Sequence, residues 1–136
     1  MYVMTIITMT VLIIMGLFHL YWAFGGKVGL DKALPTKDGV RLINPGRVLT
    51  FFVGTVLFVF SFVAYSLYFS AVTTDYIVYT GWLLAALFFM RAIGEFNAVG
   101  FFKKIRSTAF AEYDTKYFSP LCLFLGLMFT LLSLQA

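Results

Sequence analysis

Four stretches of this 136-residue chain carry no Asp, Glu, Lys or Arg: residues 1–26, 48–74, 76–90 and 117–136. A helix needs about 20 predominantly apolar residues to cross the hydrocarbon core of a bilayer. Hydrophobic residues make up 62% of the chain and charged ones 12%, where soluble domains average about 25% charged. Soluble folding would leave too little polar surface to cover the rest. The expectation is an all-α, single-domain integral membrane bundle over residues 1–136. Its spans are read at about 2–24, 47–70, 76–98 and 119–135, the third extended through Arg91 and Glu95 to reach full length.

Signal peptides carry a basic region before a shorter apolar core. Here no basic residue precedes Lys27, so the first helix is expected to be retained. Every Lys and Arg except Arg91 falls in the two long loops, after the first span and after the third, while the loop between the second and third spans carries only Asp75. The positive-inside rule makes the basic side cytoplasmic and places both termini outside.

Loop chemistry adds detail. Asp38-Gly39 suits a two-residue turn that Leu34, Val40 and Leu42 would flank as a short hairpin. An irregular loop fits those sparse apolar residues equally. The second loop interleaves Phe101, Phe102, Ile105, Phe110 and Tyr113 with lysines, as a segment at the headgroup level would. Asn44-Pro45 and Ser119-Pro120 each combine a capping side chain with a proline suited to a helix start. Thr50 and Gly54 form a small-xxx-small pair that permits close helix approach.

The polar residues of the spans converge in depth. His19 lies about 27 Å along the first helix from Met1, and Arg91 about 22 Å beyond Tyr76, at about 1.5 Å per residue. Trp22 and Glu95 follow one turn later on each helix. Every member also has a plainer role. Arg91 can snorkel to the headgroups, Trp22 can anchor in an aromatic belt, and His19 can be a hydrogen-bonded structural group. An intramembrane ionisable residue nevertheless carries a functional hypothesis by default.

Metal and nucleotide chemistry have no sequence support. One histidine and one cysteine, Cys122, give no metal-ligand spacing, and Cys122 reads as buried packing. No phosphate-binding loop or nucleophile elbow is present. The basic residues are explained by topology, so nucleic acid is not an expected partner. No cofactor or metal is expected.

Three stretches, "HLYWAFGG" at 19–26, "RAIGEF" with "VGFFKK" within 91–104, and "FAEYDTKYFSPLC" at 110–122, resemble the bacterial membrane proteins of domain-of-unknown-function family 3995. The likeness implies four spans and a bacterial plasma-membrane location, and it carries no activity. In that family the acidic position of "RAIGEF" is often Asp, where this chain has Glu95.

The candidate ligand-binding residues are His19, Trp22, Arg47, Arg91, Glu95, Asp114, Tyr117 and Ser119, at a cytoplasmic-side pocket for a small amphipathic or lipid-like ligand that is bound or transported. Helix N-termini after Asn44 and Ser119, with Arg47 and Arg91, would favour an anion there. Glu95 and Asp114 would oppose it. Membrane lipid is the expected partner, and transport through so small a bundle implies a homodimer. A structural or accessory subunit of a larger membrane complex is the second reading. An enzyme using His19 with Glu95 or Asp114 is the third. The topology is tested by Lys37→Cys or Arg106→Cys: neither residue should react with an impermeant thiol reagent in intact cells, and labelling there would reverse the assignment.

Overall fold

The computed structural model describes residues 1–34, 36–37, 40–41, 46–94 and 99–136. Four of its helices are long and apolar enough to cross a membrane. Helix α1 (Tyr2–Ala23) is followed by a single turn, α2 (Leu30–Ala33). Strands β1 (Thr36–Lys37) and β2 (Val40–Arg41) then pair antiparallel, Thr36 opposite Arg41. This is a shorter ladder than Leu34 to Leu42 would give; Asp38, Gly39 and Leu42 lie outside the described residues. Helices α3 (Arg47–Phe69) and α4 (Asp75–Ile93) come next. The last helix runs unbroken through α5 (Ala109–Tyr113), a π-helical turn (Asp114–Phe118) and α6 (Ser119–Gln135).

Two expected boundaries are corrected. Helix α4 ends at Ile93, because Gly94 takes a positive φ of 82° and its N–H closes on the Met90 carbonyl. A methyl group at Gly94 would collide with the Val99 carbonyl, so both the backbone conformation and the space require glycine. The reading that put Arg91 and Glu95 on one face needs the helix to continue past Gly94, and Glu95 lies outside the described residues. Ser119-Pro120 does not start a helix. Thr108 caps the helix eleven residues earlier, its Oγ1 accepting from the Ala111 N–H at 3.0 Å. Proline inside a helix removes one N–H and crowds the carbonyl four residues back. Here the preceding turn is widened, and the Ser119 N–H donates to the Asp114 carbonyl five residues back. At 27 residues the helix is about 40 Å long, longer than a bilayer core of about 30 Å. Glu112 and Lys116 can thus sit beyond the apolar layer on the same helix. The other expected cap, Asn44-Pro45, lies outside the described residues; α3 begins at Arg47 after an extended Gly46.

The bundle is built from two close pairs. Helices α1 and α3 meet where a Cβ on Gly54 would stand 3.0 Å from the Gly16 carbonyl oxygen, and the Ser61 hydroxyl donates across to the Met9 carbonyl at 3.3 Å. Phe58, which the sequence alone would leave facing lipid, lays its ring against Gly16. Helices α4 and α6 meet at Gly81 against Ser133 and Gly126 against Phe89. Phe88 stacks on Phe129 at 6.0 Å and receives the edge of Phe60 from α3, joining the pairs around Leu57, Ala64, Leu84 and Leu125. Lipid tails offer helices no hydrophobic incentive to associate, so such close backbone approaches carry the packing. Gly54→Leu should therefore destabilise the protein in detergent by about 1–3 kcal/mol through overpacking. Val59→Leu, at a 53% exposed position on the same helix, should leave the unfolding temperature unchanged.

Candidate functional site

At the end of the bundle that carries the basic loops, the two helix pairs part around a cavity of about 610 Å³. Its deep wall is apolar, with Val11, Met15, Leu57 and Phe88. Leu30, Ala33 and Leu34 of the α2 segment also line it, as do Phe118, Leu121 and Cys122 of the last helix. Cys122 is buried as expected, and its place in the cavity wall is new.

The polar members of the wall are mostly occupied. The Trp22 indole N–H donates to the Val28 carbonyl at 2.9 Å, and the Thr50 hydroxyl to the Gly46 carbonyl at 3.0 Å. His19 Nδ1 lies 2.7 Å from the Met15 carbonyl. A carbonyl only accepts, so Nδ1 carries the proton, and Nε2 is left as the acceptor of the neutral ring. The Trp22 ring stands edge-on to His19 at 5.3 Å.

Arg91 enters the wall from the last turn of α4 and connects it to a buried ion group. Its Nη2 donates to Asp114 Oδ1 at 3.0 Å, while its Nη1 is buried with no hydrogen-bond partner. Asp114 is fully buried. Its Oδ2 accepts from the Gly100 N–H at 2.7 Å and lies 3.1 Å from Lys103 Nζ. Lys103, 1% exposed, also donates to the Gly100 carbonyl at 3.0 Å and to the Thr115 hydroxyl. Two cations thus share one carboxylate, and a carboxylate buried so deeply is tolerable only with this many donors.

His19, Trp22 and Arg91 meet at the cavity, as their matched depths imply. The other sequence candidates are placed elsewhere. Asp114 stands behind Arg91, outside the cavity lining. Ser119 is buried with its hydroxyl unpaired, also outside the lining, and it offers no helix N-terminus to an anion because the helix continues through it. Tyr117 is 57% exposed and packs on Tyr113 at 5.6 Å. Arg47 is exposed at the start of α3, with its guanidinium beside Gly25 rather than in the cavity wall. Glu95 lies outside the described residues. Sequence reasoning missed Lys103, taking it for a headgroup lysine. Lys104 beside it is exposed, and nothing in the pattern separates the two.

Asp114→Asn leaves the buried Lys103 and the partly exposed Arg91 without their anion, so it should cost about 3–5 kcal/mol of stability, read as a large fall in unfolding temperature in detergent. Glu112→Gln breaks the exposed pair with Lys116 and should leave that temperature unchanged.

A family model described as protein of unknown function (DUF3995) matches residues 12–129. Searches of curated proteins and of solved structures returned no match. The matched stretch includes His19, Trp22, Arg91, Lys103 and Asp114, and with it all but the ends of the bundle. On that coverage, the chain belongs to the DUF3995 family.

Proposed function

We propose that this protein is a multi-pass protein of the bacterial plasma membrane that binds a small amphipathic or lipid-like molecule in the cavity at its cytoplasmic end. The observation that carries the reading is the cavity itself: about 610 Å³, apolar in its depth, with polar groups confined to a few places on its wall. Small-molecule sites have this size and character, about 300–1,000 Å³ with a few polar groups that fix orientation. Membrane embedding is supported by the opposite end of the bundle. There Tyr2, Tyr65, Tyr76 and Tyr79 are exposed near the helix ends, as aromatic residues are at a membrane–water interface. The basic loops at the cavity end support an orientation with both termini outside.

A structural or accessory role is the second reading. It is favoured by the buried Arg91–Asp114–Lys103 group, which ties the segment after α4 to both helices of one pair. The same group weighs against an acid–base role for Asp114, whose oxygens already accept from an arginine, a lysine and a backbone amide.

Native mass spectrometry of the full chain released from mild detergent tests the binding reading. Wild type should retain a small molecule. Val53→Phe, which adds a ring at the cavity wall, should retain it about tenfold more weakly, equivalent to about 1.4 kcal/mol, at an unchanged unfolding temperature. A wild-type protein that carries nothing, and that no added amphiphile stabilises, would remove the reading.

A further inference from the structure

We infer that the cavity selects a singly charged anion: a single-tailed amphiphile whose head is one oxyanion, as in a carboxylate or a phosphodiester. The inference rests on the cavity-binding reading above and adds the sign and number of the head-group charges.

Charge counting comes first. Arg91 and Lys103 together bring two positive charges to the one negative charge of Asp114, so among the described residues of this group one positive charge is in surplus. Hydrogen-bond counting shows where that surplus is available. Lys103 has three N–H donors, and they meet the Gly100 carbonyl, the Thr115 hydroxyl and Asp114 Oδ2. Asp114 is engaged at both oxygens. Arg91 is the member that lines the cavity and is 32% exposed, so among the described residues the surplus charge meets the cavity at this side chain; its Nη1 is itself buried and without a partner.

The rest of the wall narrows the choice of head. Trp22, Thr50 and His19 Nδ1 donate to carbonyls of their own chain, which leaves Arg91 as the cationic donor on the wall; His19 Nε2, an acceptor in the neutral ring, makes no bond to an ionised oxyanion. No carboxylate lines the cavity among the described residues, so a cationic head would find repulsion and no counter-ion. A neutral head leaves the guanidinium charge unanswered in apolar surroundings, where that is costly. A dianion brings a second charge with nothing to balance it among the described residues of the wall. A monoanion matches the surplus, and charge-assisted bonds from a guanidinium to an oxyanion are the strong kind. The apolar depth formed by Met15, Leu57 and Phe88 provides for the tail.

Binding to the full chain in a neutral detergent, followed by isothermal titration, decides the matter. The probes are octanoate, octyl methyl phosphate, octanol, octylamine and acetate. At least one of the two tailed anions should bind about tenfold or more tightly than octanol, octylamine should bind worst of the four tailed probes, and acetate should not register. The tighter anion names the source, a free carboxylate amphiphile or a lipid phosphodiester. Arg91→Gln removes the surplus charge and leaves Asp114 paired with Lys103. It should lose most of the anion preference and keep the octanol affinity. Lys116→Gln removes an exposed cation outside the cavity wall and should change nothing. Octanol binding as tightly as both anions, tighter binding of octylamine, an unaltered preference in Arg91→Gln, or an equal loss in Lys116→Gln each overturns the inference while leaving the cavity reading in place. Failure of every tailed probe to bind would overturn both.

Discussion

A carboxylate with no contact to solvent organises the basic end of this bundle. Asp114 draws together the last turn of α4 through Arg91, the segment after it through the Gly100 amide and Lys103, and the last helix on which it stands. Buried ions of this kind do not make a fold stable by themselves, since desolvation offsets much of their attraction. They make alternatives expensive, because any rearrangement that separates the partners strands a charge. The two glycines at the ends of this segment belong to the same solution. Gly94 and Gly100 both take positive φ, at 82° and 91°, and each leaves no space for a side chain. They let Gly100 lie directly against Ile93 and Gly94, with the Phe101 N–H donating to the Ala92 carbonyl, and this brings the Gly100 amide and Lys103 to the carboxylate.

Helix association elsewhere depends on small residues rather than charge. Gly16 with Gly54, and Gly81 with Ser133, let helices approach within each pair. Between the pairs, large rings such as Phe60, Phe88 and Phe129 fill the middle of the bundle. Toward the basic end the pairs separate, and Arg91 is the charged side chain placed where the apolar packing stops. Its guanidinium is held on one edge by Asp114 and left without a partner at Nη1. A residue that would be a snorkelling arginine on an isolated helix becomes here a fixed donor on a cavity wall. It is 32% exposed and anchored to a fully buried partner.

The four long helices, and which of their ends lie together, were legible from the spacing of charges alone. Lipid leaves a backbone little choice, so a charge-free run of twenty residues is nearly a structural statement. Matched depth along α1 and α4 likewise put His19, Trp22 and Arg91 at one level, because rise per residue in a helix is fixed. Family membership was legible too, in the combination of three short polar-containing stretches.

Tertiary structure decided the rest, for reasons that no local pattern contains. Ser119-Pro120 has the form of a helix start, yet Thr108 supplies an earlier cap and a π-helical turn absorbs the proline. Lys103 and Lys104 are adjacent and chemically identical, but one is buried against Asp114 and the other exposed. That difference exists only after the glycines fold the segment back onto the helix. Arg91 was legible as an ion to be paired. Its partner came from a helix that begins beyond the reach of periodicity, because ion pairing in three dimensions depends on where a chain returns and not on where it leaves. What the sequence determined was how many long apolar helices there are and how deep their polar residues lie; which charges meet, and which nitrogen is left over, came only with the packing.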